Sequence, residues 1–241
     1  MNRNVYLDIG NQLIKIGYYD KENCFQVKRI SSKKIDLTEL DKILNEINFK
    51  KIYIGSVVKN ASKILEMHFK KQHYEYEFIT NELFKEQIKL EKSIHLDEVG
   101  TDILGFCYYI KNKSKTLAIN FGTATVAIYY DQMLNGVTIG TDFFNSYEDL
   151  LKILSSEIPL EAINKFGTNT NDAVNASKYF LINGFINEIL KNYQDLNEII
   201  FTGGSRRIFY LYKNITNIKI TEIDEAVLLG YKQLIEDKHP K

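Results

Sequence analysis

Between Asn4 and Asp20 the chain alternates apolar and polar positions around one break, NVYLDI, then Gly10-Asn11-Gln12, then LIKIGYYD. Ile14, Ile16 and Tyr18 recur at a period of two, which predicts two strands joined by a turn at Asp8 to Asn11. Residues 116 to 131, TLAINFGTATVAIYYD, predict a second pair of the same form. Overlaid at an offset of about 112 residues, Leu7 falls on Ile119, Asp8 on Asn120, Gly10 on Gly122, Asn11 on Thr123, Ile16 on Ile128 and Tyr18 on Tyr130. Unrelated hairpins share apolar alternation. A polar-x-Gly-polar turn at the same place in both is what a duplication adds.

The segments after each hairpin repeat the theme. Thr38 is placed to cap a helix with a stripe of Leu40, Ile43, Leu44 and Ile47, and Lys51 to Val57 reads as a buried strand. A helix carrying Ile64, Leu65 and Phe69 follows, then a strand near Tyr74 to Ile79. The second half predicts a helix with Leu150, Leu151 and Leu154, and a long helix from about Asn171 to Tyr193. A strand from Glu198 to Phe201 runs into Thr202-Gly203-Gly204, and a last helix carries Ala226, Val227, Leu229 and Leu234. Two α/β domains are expected, 1–115 and 116–241, each of ordinary single-domain size.

Composition narrows the function. The 241 residues carry 31 Lys+Arg against 31 Asp+Glu, so no basic excess exists to hold nucleic acid or an anionic membrane. Two prolines and no Gly/Ser-rich stretch leave no flexible linker. Cys24 and Cys107 are far apart, which predicts free thiols, and the four histidines form no metal-ligand pair. Neither a signal-peptide core nor a membrane-length apolar run is visible, so a cytoplasmic protein is expected.

Three short segments offer chemistry. A polar-x-Gly turn between strands presents backbone N–H groups to a phosphate, and a carboxylate beside it can organise a metal ion. It is neither a P-loop nor a dinucleotide fingerprint, since Gly10 leads into a strand. Thr202-Gly203-Gly204 follows an apolar strand, where open α/β sheets admit ligands, and precedes a helical stretch, Ile208 to Tyr212. Asp102, in Glu98-Val99-Gly100-Thr101-Asp102 before an apolar run, reads either as a helix N-cap or as a carboxylate that takes a proton from a substrate hydroxyl.

Taken together and in order, these motifs resemble those of the type III pantothenate kinases, within the superfamily of acetate kinases, sugar kinases, Hsp70 and actin. The resemblance is carried by Asp8-Ile9-Gly10-Asn11, Gly100-Thr101-Asp102, Gly122-Thr123-Ala124-Thr125, Gly167-Thr168-Asn169-Thr170-Asn171-Asp172-Ala173 and Thr202-Gly203-Gly204, with Ser56-Val57-Val58 in support. It implies two duplicated actin-like, or ribonuclease H-like, domains with a nucleotide cleft between them. It also implies phosphorylation of pantothenate by ATP, the first step towards coenzyme A.

By the same resemblance Asp8, Ile9, Gly10, Asn11, Gln12, Leu13, Ile14 and Lys15 bind the ATP phosphates, with Asp8 organising Mg²⁺. Thr123 contacts ATP, Gly203 and Gly204 border the nucleoside, and Asp102 is the general base. Gly100, Thr101, Asp102, Ile103 and Thr170 line the pantothenate pocket, and the protein is a homodimer with its site near the subunit interface.

Three positions depart from the family pattern. Ile103 stands where the family has an arginine that helps hold the anionic substrate. Asn120 stands where it has the aspartate of a monovalent-cation site, for K⁺ or NH₄⁺, and an amide brings a carbonyl oxygen without the charge. Gly136-Val137-Thr138-Ile139-Gly140-Thr141 replaces a glycine-rich segment ending in Pro-Gly. These departures leave two alternatives: a catalytically impaired relative that binds nucleotide and acts as a regulatory or accessory protein, and a kinase for another small hydroxyl metabolite.

Overall fold

The computed structural model describes residues 3–143, 163–204 and 217–239. Its chain divides into two compact units, one of Met1–Asn112, Gln132–Leu134 and Glu225–Lys241, the other of Lys113–Asp131 and Asn135–Asp224. A single cut at 115/116 would leave the last helix with the second half, whereas by contacts it groups with the first unit.

The first unit is built on the strand order β3-β2-β1-β4-β5. β1 (Arg3–Ile9) pairs antiparallel with β2 (Leu13–Tyr19), setting Leu7 opposite Ile16 and Asp8 opposite Lys15. β3 (Phe25–Ser31) lies antiparallel to β2, while β4 (Phe49–Ser56) and β5 (Tyr76–Phe78) add in parallel on the other side. Side chains alternate across a strand, so β1 and β4 each serve two faces. Val5, Leu7, Ile9, Ile52 and Ile54 join the core formed with α1 (Leu37–Asn45) and α2 (Lys59–Lys71). Tyr6, Asp8, Tyr53 and Gly55 take the opposite face, where Tyr6 donates to Glu236 of the last helix, α5 (Ala226–Lys238).

The helices follow the apolar periodicity, with two adjustments. α1 is capped by Asp36, whose carboxylate accepts from the N–H groups of Thr38 and Glu39, so the expected cap Thr38 lies inside the first turn. In α2 the buried side chains are Ala61, Leu65 and Phe69, and Ile64 is exposed. α3 (Thr101–Tyr109) crosses α5 with backbone against backbone: a Cβ on Gly230 would overlap the Gly105 carbonyl oxygen.

The second unit repeats the strand plan as β8-β7-β6-β9-β10. β6 (Thr116–Phe121) pairs antiparallel with β7 (Ala124–Tyr130), and β9 (Glu198–Thr202) and β10 (Lys219–Glu222) continue in parallel. β8 (Leu134–Thr141) closes the other edge, and it is this strand that takes up the Gly136 to Thr141 segment. The long helix α4 (Thr170–Asn192) packs Ile182 and Ile186 against Leu117, Ile119, Phe121 and Phe201. The helices expected around Leu150 to Leu154 and Ile208 to Tyr212 lie outside the described residues.

Two glycines inside helices make opposite demands. Gly230→Ala forces a methyl onto the Gly105 carbonyl and should cost about 2 kcal/mol or more, outweighing the ~1 kcal/mol gained in helix propensity. Gly184→Ala, in α4 with nothing within 4 Å of the new methyl, should be neutral or stabilising by up to ~1 kcal/mol. Urea midpoints of the two variants measure both effects, and equal destabilisation would contradict the close crossing.

Candidate active site

The polar side chains of the first unit converge on the β1 face that carries Asp8. Asp8 is only 7% exposed, on the face of β1 that also carries Tyr6. Its partner across the hairpin, Lys15, places Nζ 3.1 Å from Asp8 Oδ2 and 2.8 Å from Glu225 Oε2. Arg29, one strand further and in register with Lys15, donates its Nε to Glu225 Oε1 at 3.0 Å. A chain of alternating charge, Asp8–Lys15–Glu225–Arg29, therefore crosses three strands to the start of α5.

Glu225 is held there in the left-handed region, φ 57° and ψ 41°, a conformation that costs a non-glycine residue about 1 kcal/mol or more. Its two ion pairs offset that strain. Burial opposes charge on both Lys15 and Glu225. For Lys15 the carboxylates of Asp8 and Glu225 outweigh that burial and raise its pKa, and for Glu225 the cations Lys15 and Arg29 win and lower it.

Asp102 reaches the same region from α3. The helix is capped by Gly100, with no side-chain cap bond, so Asp102 stands within the first turn and the N-cap reading does not hold. Its Oδ1 accepts the N–H of Ile103 at 2.9 Å and lies back over Gly100, where a Cβ would overlap it. Burial drives the Asp102 pKa up, the nearby charge of Asp8 adds to the rise, and the Ile103 N–H and Lys15 oppose it. A carboxylate whose pKa is raised by burial and by a second carboxylate is a candidate proton acceptor.

Tyr231 of α5 completes the cluster. Its ring is fully buried and lies flat against backbone: a Cβ on Gly55 would overlap the ring and sit 2.6 Å from the hydroxyl oxygen, and one on Gly105 would sit 2.7 Å from Cε1. Gly55 is the register partner of Asp8, which sets the hydroxyl beside that aspartate. The hydroxyl has no hydrogen-bond partner of good geometry. Burial holds its pKa well above the ordinary value, the charges of Asp8 and Asp102 act in the same direction, and the nearby Thr101 side chain opposes them.

Among the residues expected to bind phosphate, the side chains divide. Ile9 and Ile14 are buried in the sheet–helix core, so they contribute backbone only. Asn11 and Leu13 are exposed and Gln12 half-buried at the turn, where Gly10 N–H donates to the Leu13 carbonyl at 3.0 Å. Gly10 has no left-handed φ, and a Cβ there would clear the Leu13 carbonyl at 3.4 Å. The chain itself therefore does not require glycine at the turn; the bare position leaves the turn open from outside.

Thr101 is half-buried beside Asp102, whereas Ile103 is 8% exposed and turned into the fold.

The remaining predicted positions belong to the second unit. Thr123 and Gly204 are exposed, and Thr170 is the exposed first residue of α4. Gly203 adopts φ +97°, and a Cβ there would overlap the Phe121 carbonyl and lie 2.5 Å from Asn120 Oδ1. Asn120 thus packs against the Thr202-Gly203 turn, its register neighbour in β9.

Glu225, Arg29 and Tyr231 were not visible as site residues in the sequence. Arg29 lies on β3, which the apolar alternation does not reveal, and Tyr231 reads as one more apolar position of the last helix.

A divalent ion fits the donor set. Among the described residues no three His, Cys, Asp or Glu side chains gather into a cage. Mg²⁺ characteristically uses one or two carboxylates plus phosphate oxygens and water, and Asp8 beside an open turn supplies the protein's share. For a monovalent cation the fit is poorer, because Asn120 brings no charge.

Residues 4–192 match the family model described as type III pantothenate kinase. A type III pantothenate kinase of Mycoplasma mobile is 28% identical over 97% of this chain and 98% of its own. One of Geobacter sp. is 26% identical over the same shares of each chain. Among solved structures, a conserved Baf family protein of Campylobacter jejuni superposes with a TM-score of 0.62 at 19% identity, covering 97% of this chain and 98% of its own. A 2-dehydro-3-deoxygalactonokinase-type protein of Sinorhizobium meliloti superposes at 0.61 and 13% identity, over 99% of this chain and 97% of its own. These two likenesses show the fold.

Gly100→Ala tests the seat of Asp102. The new methyl displaces the carboxylate, a mobile side-chain end, so the expected outcome is a melting temperature within about 2 °C of the parent with turnover at least ~10-fold lower. Parent-like turnover would show that Asp102 need not lie over Gly100 for the reaction.

Proposed function

The chain belongs to the type III pantothenate kinase family, and from that membership and the charge geometry of its first unit we propose how it phosphorylates pantothenate with ATP. The observation that carries the reading is the meeting of Asp8, Lys15 and Asp102 on one face, with Asp102 raised in pKa by burial and by Asp8.

Lys15 is poised to exchange Asp8 for a phosphate oxygen, since its ammonium is kept charged by two carboxylates. The Asn11–Gln12 turn offers its open backbone to the same triphosphate. Mg²⁺, when bound with ATP, neutralises phosphate charge, and Asp8 is the residue that would hold it. Asp102 accepts the proton of the primary hydroxyl of pantothenate as that oxygen bonds to the γ-phosphorus and the bond to ADP breaks. Thr123, Gly203 and Gly204 are assigned to the nucleotide, and Gly100, Thr101 and Thr170 to pantothenate. With Ile103 buried, the substrate carboxylate has no cation at that position, which favours a weaker grip on pantothenate than in relatives that keep the arginine.

Asn120 packs its oxygen against Gly203 without a charge, so we assign no essential K⁺ or NH₄⁺ to this protein. Apolar side chains left exposed on and before α4, Phe166, Phe180 and Leu181, support a homodimer, and sedimentation at micromolar concentration should show one; a monomer alone contradicts it. Free Cys24 and Cys107 support a cytoplasmic setting. No helix of the described residues is long and apolar enough to cross a membrane.

Steady-state assays of ADP release test the assignment. The parent should phosphorylate pantothenate equally well in K⁺ and in Na⁺, and Asp102→Asn should lose ~10²- to 10⁴-fold in kcat while remaining folded. Turnover of Asp102→Asn within a few-fold of the parent would remove its role as base.

A further inference from the structure

A hydroxyl that is sealed from water and lacks a partner is costly, and native folds keep one only where something else requires it. Tyr231 is such a group, fully buried with an unsatisfied hydroxyl. Phenylalanine would fill the same slot without that cost, because the ring alone packs on Gly55 and Gly105. The slot is also specific. Two glycines on separate elements, β4 and α3, and the glycine crossing of α3 with α5 bring the ring to backbone contact. Any side chain at position 55 would exclude it.

The hydroxyl can donate one hydrogen bond, and two carboxylates lie near it. Asp8 already has the Lys15 ammonium at 3.1 Å. Asp102 is held by backbone alone, the N–H of Ile103 at 2.9 Å and its own N–H, and it carries the burden of burial and of the Asp8 charge. Of the two, Asp102 is the one whose ionised form has backbone donors but no side-chain donor or cation bonded to it. Thr101, which precedes it, stands four residues from Gly105 on the side of α3 that meets the Tyr231 ring; its side chain approaches the hydroxyl and opposes the rise in its pKa, but without the geometry of a hydrogen bond.

We propose that Tyr231 is a positioning residue for Asp102: its buried hydroxyl, unpaired in the free protein, donates to the Asp102 carboxylate when substrates are bound and fixes it as the proton acceptor. The inference rests on the kinase reading above. The free protein keeps the donor unsatisfied and gains the bond only as the reaction site forms, so the interaction appears in kcat and not in substrate binding.

Tyr231→Phe isolates the hydroxyl, since the ring remains to fill the slot. The expected result is a kcat lower by about 10- to 100-fold, with KM for ATP and for pantothenate within about threefold of the parent. The melting temperature should be unchanged or higher, which a merely structural hydrogen bond would not give. In the Asp102→Asn background, Tyr231→Phe should cost little more, because the two act as one unit. A Tyr231→Phe enzyme with parent-like kcat, or losses that multiply independently in the double variant, overturns the proposal while leaving the kinase intact. A parent that transfers no phosphoryl group overturns the kinase reading and this inference with it.

Discussion

The close crossing of α3 and α5 is the constraint on which the first unit's chemistry rests. Gly230 meets the Gly105 carbonyl without side chains between them, and that contact brings the next residue, Tyr231, down onto Gly55 of β4. Gly55 is in register with Asp8, and the start of α3 carries Asp102. Move the helices apart by the thickness of a methyl group and Asp102, Asp8 and the Tyr231 phenol no longer share a face. Packing density in a core is high enough that such a displacement is not absorbed locally.

The second constraint is the alternation of β1. Odd positions Val5, Leu7 and Ile9 are committed to the core with α1 and α2, which leaves the even positions, Tyr6 and Asp8, for the face of α3 and α5. The duplication then explains the asymmetry between the units. Asn120 occupies in β6 the position Asp8 occupies in β1, in the same sheet order and beside the equivalent parallel strand. In the first unit the polar residue carries charge and meets Lys15; in the second it is neutral and packs on Gly203. One plan supplies both settings, and they differ both in the acid replaced by an amide and in the partner across the hairpin, Lys15 for Asp8 and Val126 for Asn120.

Much of this was legible in the sequence because it is written at short range. Period-two alternation located β1, β2, β6 and β7, and apolar stripes located α1, α2, α4 and α5. The motifs flagged Asp8, Lys15 and Asp102, whose convergence the structure shows. What the sequence concealed is what depends on partners far along the chain. β3, β8 and β10 lie at or near the sheet edges, have weak alternation and owe their form to pairing. Glu225 lies 210 positions from Lys15, and nothing local marks it as that residue's counter-ion. Tyr231 shows no polar signal at all, because its hydroxyl matters only through the face on which it is buried. Glycine likewise misled in one respect: at Gly10 it suggests an unusual φ, yet the backbone there is ordinary, and the left-handed glycine is Gly203.

The proposed reaction requires one face of the first unit to bring Asp102 to the substrate hydroxyl with Asp8 on the phosphate side. A crystal structure of the protein with Mg²⁺, a non-hydrolysable ATP analogue and pantothenate measures it directly. The expected result is an Asp102 carboxylate oxygen within about 2.6–3.2 Å of the primary hydroxyl of pantothenate, and Lys15 on a phosphate oxygen. A pantothenate hydroxyl held by other residues, with Asp102 turned away and Lys15 still on Asp8, would contradict it.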